Sequence, residues 1–289
     1  MIAVTRVRHV PVRALALFIL AGVVPGCLYR GPALDPRRVA LSVRQLVLYE
    51  HPLDVHLAGP LVAAPGQPLL LYATGDGGWW GKDVQVFRER AAWGYPVAGF
   101  SSRNYLKNLG YVADTTTPAQ LARDYSLLIT FSLKVLGLSP DSPVILVGVS
   151  RGAGLAIVAA GQPGVRDRLV GVLAVALTRE EEYVKRLRVR RGAGTGSPAR
   201  ELVTVQTYEY LQRLAPLPVA VVQSTGDDYL PADKARALFG PDTPARRLVA
   251  VEARNHTFDG ARDRLYQEME SSLEWIRSQA PPVSARDHR

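Results

Sequence analysis

The sequence has one cysteine, Cys27, so no disulfide can form within the chain. It also lacks a hydrophobic run long enough to cross a bilayer: the apolar stretch at residues 14–24 spans 11 residues, against the ~20 that a spanning helix needs. Zinc-finger spacing, an RNA-recognition signature and a dominant basic helix are all missing. The net charge of +9 therefore does not argue for nucleic acid as a partner. No Gly-Lys-Ser/Thr occurs, and Gly75-x-Gly77 is followed by Trp80 where a dinucleotide fingerprint needs a further glycine. Neither phosphate-cradling loop can be built from such a segment. Internal repeats and low-complexity tracts are absent too, which excludes solenoid and fibrous architectures.

What is present begins with an export signature. Arg6, Arg8 and Arg13 lie in a leading segment with no acid, followed by the short apolar stretch and small residues. That order reads as a secretory signal over residues 1–27. Val24-Pro25-Gly26-Cys27 resembles a bacterial lipoprotein box, so the expectation is cleavage before Cys27 and a lipid on its thiol. The protein is then exported to the periplasm or cell envelope and held at the membrane surface. Residues 28–45, with Gly31, Pro32, Pro36 and Arg37-Arg38, read as a linker. Residues 281–289 read as a frayed tail.

Between them, residues 46–280 carry alternating strand and helix signals. At 47% hydrophobic and 21% charged, the chain can bury a sizeable core. "QLVLYE" and "LDVHLAG", broken at Pro52, suggest an opening antiparallel pair. Strands are expected at 68–74, 95–100, 144–149, 169–177, 218–224 and 246–253. Helices are expected at 79–93, at 117–136 with Thr117 as cap and Pro118 at the first position, from 152, from 232 and at 260–279. Short apolar strands alternating with helices imply a mostly parallel sheet covered on both faces, an α/β class. Residues 179–213 interrupt the alternation with charge and glycine and are a candidate cap.

The chemistry centres on "VILVGVSRGAG" (144–154). A buried strand running into Gly148-x-Ser150-x-Gly152 and then a helix is the pattern of a nucleophile elbow. A serine hydroxyl needs a base to take its proton. In this fold the order is serine, acid, histidine. Of five histidines, His9 lies in the export segment, His288 in the tail, and His51 and His56 precede the serine. His256, just after the last strand, is left as the base. The acid should follow the preceding strand, where "STGDDYLP" offers Asp227, with Asp228 as the alternative. An oxyanion hole needs two backbone N–H groups. Arg151 is expected to give one, and Asp76 or Gly77, in the glycine-rich loop "GDGGWW" (75–80), the other. No metal or cofactor is required by such a site.

Several separated pieces, "GDGGW" (75–79), "SSRNYL" (101–106), "TPAQLARD" (117–124), "GVSRGA" (148–153), "VRDRL" (165–169) and "NHTFDG" (255–260), give the chain a resemblance to the AcvB/VirJ group of exported bacterial α/β-hydrolases. The resemblance implies an α/β-hydrolase fold, Ser150 and His256 as functional residues, and hydrolysis of lysyl-phosphatidylglycerol, an aminoacylated membrane lipid. Such a substrate calls for acidic contacts to its ammonium groups, for which Asp76, Glu180, Glu181 and Glu182 are candidates. It also calls for basic contacts to its phosphate, for which Arg103, Arg151 and the cluster from Lys185 to Arg191 are candidates. Trp79 and Trp80 are candidates for lipid contact. The expected function is therefore that of a serine esterase acting on a lipid or small ester. A non-catalytic envelope protein that binds lipid or secretion machinery is the contrasting class.

Overall fold

The computed structural model describes residues 32–61, 66–110, 117–183 and 203–279. The export segment with Cys27, the basic cluster 185–191 and the tail lie outside them. Antiparallel strands β1 (Val39–Leu48) and β2 (His51–Pro60) open the fold and are followed by β3 (Leu69–Ala73) and helix α1 (Lys82–Ala92). Next come β4 (Val97–Phe100), α2 (Ser102–Leu109), α3 (Pro118–Val135), β5 (Val144–Val149), α4 (Arg151–Ala160) and the short α5 (Pro163–Arg166). The chain continues through β6 (Leu169–Val175), a small ladder of β7 (Glu180–Tyr183) and β8 (Val203–Gln206), and α6 (Thr207–Gln212). It ends with β9 (Val219–Ser224), α7 (Ala232–Phe239), β10 (Arg246–Val251) and α8 (Arg262–Gln279).

Eight strands form one sheet in the order β1-β2-β4-β3-β5-β6-β9-β10. The β1–β2 and β2–β4 pairs are antiparallel and every other pair is parallel. Burial on both faces explains why the central strands are continuously apolar. In β5, Val144 and Leu146 face one half of the core while Ile145 and Val147 face the other. The first half packs α2 through α7 and the second packs α1 and α8. In β6 the alternation slips by one residue. Val144 pairs with Leu169 but Ile145 pairs with Gly171, leaving Val170 as the extra residue of a bulge.

Local sequence accounts for most element ends. Thr117 accepts a hydrogen bond from the Gln120 N–H at 3.1 Å and Pro118 opens α3, as the capping pattern predicts. Ser101 does the same for α2 through the Asn104 N–H. The β1–β2 turn places Tyr49 and Glu50 at φ 57° and 64°, the two-residue geometry that matches strand twist. Tyr49 is held there by its hydroxyl, which donates to Asp124 at 2.5 Å, and Tyr105 donates to the same carboxylate at 2.6 Å.

Two expectations change. Strand β1 starts at Val39, so the second half of the segment read as a linker is sheet. Its alternating Val39, Leu41 and Val43 carry a strand signal that the nearby prolines and arginines obscure. "SSRNYL", expected only as a motif, forms the start of α2. Within the candidate cap, the described residues form the β7–β8 ladder and α6.

Candidate active site

Strand β5 delivers Ser150 to the C-terminal edge of the sheet in a strained turn, at φ 51° and ψ −117°. A non-glycine residue there costs on the order of 1–3 kcal/mol, held by its surroundings. The surroundings leave no room for alternatives. A Cβ on Gly148 would meet the Gly152 carbonyl oxygen at 2.2 Å, and one on Gly152 would meet the Ala73 carbonyl oxygen at 2.2 Å. The Ser150 N–H is spent on the Val175 carbonyl at 2.8 Å, which pins the turn to β6. Its hydroxyl is left to project from the start of α4.

The loop after β10 brings His256 to that hydroxyl. Nε2 lies 2.8 Å from Ser150 Oγ, and Nδ1 lies 2.7 Å from Asp227 Oδ2. Asp227 is buried, and Asp228 beside it is exposed. The Asp227 carboxylate also accepts from the N–H groups of Tyr229 and Leu230 and from Gln223 Nε2. These fixed donors hold the carboxylate in one orientation toward the imidazole. The His256 loop is shaped by Asn255, whose Oδ1 accepts from the N–H groups of Thr257 and Asp259. Lys82, at the start of α1, donates to Thr257 Oγ1 at 2.8 Å and to Asp259 at 2.5 Å. Hydrogen bonds from Lys82 and Asn255 pull the Asp259 carboxyl down to a pKa of about 2. Tyr229, not foreseen from the sequence, sets its ring edgewise against the imidazole, centroids 4.8 Å apart.

The glycine-rich loop lies on the other side of Ser150. Its Gly78 N–H turns back to the Gly75 carbonyl at 3.1 Å, at φ 72°. Ser102 Oγ donates to the same carbonyl at 3.0 Å. The Gly75 N–H donates to Asp83 Oδ1 at 2.9 Å, and the fully buried Tyr72 donates its hydroxyl to the same oxygen at 2.5 Å. Burial pushes the Asp83 carboxyl pKa up, with the Tyr72 and Gly75 bonds opposing that shift. Asp83 reads in the sequence as an ordinary acid in a first helical turn, so nothing local announces its tie to the loop. Arg151 is the first residue of α4, where a backbone N–H has no intrahelical acceptor. Asp76, Gly77 and Arg151 line the same cavity as Ser150.

A cavity of about 670 Å³ opens over Ser150 and His256, lined also by Asp76, Gly77, Trp80, Arg151, Glu180 and Glu181. Trp80 is 70% exposed at its rim. Two candidates fall outside it. Trp79 stacks on His56 at 3.8 Å, packs its edge toward Phe87 and fills the space over Gly99, so it belongs to the core. Arg103 lies exposed on α2 and does not line the cavity. Arg151 is engaged from within the site: its Nε lies 2.6 Å from Asp76 Oδ1 and 3.7 Å from Glu181 Oε2. Burial raises the Glu181 pKa, against the hydrogen bond from Thr178 and the Arg151 charge. The side chain of Glu182 lies outside the described residues. Among the described residues, no three His, Cys, Asp or Glu side chains gather as a metal site.

A mostly parallel sheet with an antiparallel opening, a serine on a strained strand–helix turn, and histidine and acid on the following loops define the α/β-hydrolase fold. Solved structures share it. A putative dienelactone hydrolase from Klebsiella pneumoniae subsp. pneumoniae MGH 78578 superposes with TM-score 0.61 at 14% identity, over 83% of this chain and 98% of that one. Est1E from Butyrivibrio proteoclasticus gives 0.58 at 14% identity, over 81% and 99%. The acylaminoacyl peptidase of Pyrococcus horikoshii gives 0.60 at 13% identity, over 86% of this chain and 43% of that one. No curated protein matches by sequence. The chain belongs to the VirJ family: the model for bacterial virulence protein (VirJ) matches residues 68–245, a span that includes Ser150 and Asp227 and ends before His256.

Proposed function

We propose that the protein is an exported serine hydrolase of carboxylic esters that acts on the aminoacyl ester of lysyl-phosphatidylglycerol. The observation that carries the reading is the imidazole of His256 within hydrogen-bond reach of both Ser150 Oγ and Asp227. Ser150 Oγ attacks the ester carbonyl carbon as His256 Nε2 takes its proton. The carbonyl oxygen becomes an oxyanion held by the N–H of Arg151 and that of Asp76 or Gly77. Collapse expels the alcohol, which receives the proton from His256 and leaves an acyl-enzyme. Water, deprotonated by His256, then releases the acid and restores Ser150. Asp227 holds the ring in the required tautomer and stabilises the imidazolium.

The substrate follows from the family resemblance. Glu180, exposed on the cavity lining, can receive a lysyl ammonium group, whereas Glu181 beside it is buried against Arg151. Trp80 at the rim offers an apolar surface to lipid. Membership of the VirJ family and the leading segment support a periplasmic location, with Cys27 as the lipid anchor. Incubating the purified protein with vesicles containing lysyl-phosphatidylglycerol, and following free lysine, tests the substrate. Lysine release at a rate abolished by Ser150→Ala is the expected result. Brisk turnover of short-chain esters with no lysine release would make it an esterase of a different envelope ester.

A further inference from the structure

Arg151, which follows Ser150 at the start of α4, and Asp76, in the glycine-rich loop read as holding the second oxyanion donor, are paired through their side chains. Arg151 Nε and Asp76 Oδ1 are 2.6 Å apart, although the residues stand on separate elements, the start of α4 and the loop after β3. Behind Arg151 sits Glu181, whose side chain is 7% exposed and whose Oε2 is 3.7 Å from the same nitrogen. Room for Glu181 is built into α4: a Cβ on Gly154 would meet Glu181 Cγ at 2.1 Å. A glycine inside a helix is less stabilising than alanine, so this position gives up helix stability to admit the carboxylate.

We propose that the Arg151 guanidinium is a clasp that sets the oxyanion hole. It spans the gap between the two donor segments, and it neutralises a carboxylate that would otherwise face the developing oxyanion. The proposal rests on the reading of Ser150 as nucleophile. A carboxylate on the donor loop opposes negative charge developing on the carbonyl oxygen. Pairing Asp76 with Arg151 offsets that charge and ties the loop to the start of α4. Glu181 holds the guanidinium from the far side. Arg151 is thus a positioning residue through its side chain, distinct from the N–H it presents.

The backbone N–H survives every substitution, so variants report the side chain alone. The test measures kcat and KM for a p-nitrophenyl ester, with inhibition by a trifluoromethyl ketone that mimics the tetrahedral intermediate. Wild type is compared with R151Q, R151K, D76N and the D76N/R151Q double variant. Losing one oxyanion donor costs about 100- to 1,000-fold. A loosened hole with an unpaired carboxylate should therefore cost R151Q about 10- to 100-fold in kcat, with KM within about threefold. The ketone should weaken by the same factor. R151K, which keeps the charge without the planar fork, should fall between. The double variant should be faster than R151Q, because the unpaired carboxylate is gone. Asp76 is 64% exposed, so D76N keeps the comparison interpretable if Arg151 variants fold poorly. Wild-type kcat in R151Q, a change in KM alone, or losses that multiply in the double variant would overturn the clasp while leaving the serine-hydrolase reading in place. A wild type that turns over no ester would remove both.

Discussion

Replacing Asp83 with alanine should destabilise the fold and slow the reaction, whereas replacing it with asparagine should do neither to a comparable degree. Both bonds at this carboxylate end on the same atom, Oδ1: the Tyr72 hydroxyl at 2.5 Å and the Gly75 N–H at 2.9 Å. Alanine leaves two donors in the interior without a partner. Each such group costs about 1–3 kcal/mol, giving roughly 2–6 kcal/mol. The lower half is expected, because removing a carboxyl whose ionised form is penalised by burial returns part of the cost. For a domain of this size about 3 kcal/mol lowers Tm by roughly 6–12 °C. Asparagine keeps an Oδ1 able to accept both bonds and should stay within about 1 kcal/mol. Urea and thermal unfolding of D83A and D83N give the stabilities. Ester turnover shows whether freeing the Gly75 loop lowers kcat. A D83A variant within about 1 kcal/mol of wild type, or a D83N variant as damaged as D83A, would refute the reasoning.

Other expectations follow from the same geometry. Asp227→Asn should lower kcat by about 10,000-fold, the cost of losing the acid that fixes a histidine tautomer, while exposed Asp228→Asn stays within about twofold; steady-state kinetics separates them. Gly152→Ala forces a Cβ to 2.2 Å from the Ala73 carbonyl oxygen and should destabilise by about 3 kcal/mol or more, read from urea midpoints. Burial raises the pKa values of Asp83, Asp124 and Glu181 above their ordinary values of 3.8, 3.8 and 4.5. The native state then holds these protons more tightly than the unfolded chain. Stability from these groups is greatest below the ordinary values and falls as pH rises through the raised native ones. D83N removes one contribution, so its stability relative to wild type should improve from pH 4 to pH 7 in urea titrations.

The sequence carried the fold because burial on both faces writes itself as short apolar runs, and because Thr117-Pro118 marks a helix start by local chemistry. It also pointed to Ser150, Asp227 and His256, because each follows its own strand in the order the fold requires, and the structure places the three within hydrogen-bond distance. Position favoured Asp227 and kept Asp228 as the alternative; the N–H groups of Tyr229 and Leu230, which turn Asp227 inward, separate the two in a way that position could not. What was not legible depends on partners distant in the chain. Trp79 looks like a rim residue until His56, Phe87 and Gly99 close around it. Arg151 looks like a free cation until Asp76 and Glu181 reach it. Asp83 looks like a helix-start acid until Tyr72 and Gly75 point at it. Strand β1 is a different case, because its alternation at Val39, Leu41 and Val43 was present and outweighed by neighbouring turn residues.

The most direct measurement is labelling of the intact protein by a fluorophosphonate, read by mass spectrometry. An activated Ser150 should take up one phosphonyl group in the wild type, far more slowly in His256→Ala, and not at all in Ser150→Ala. An unlabelled, folded wild type, or a phosphonyl group that still attaches to Ser150→Ala, would contradict the account.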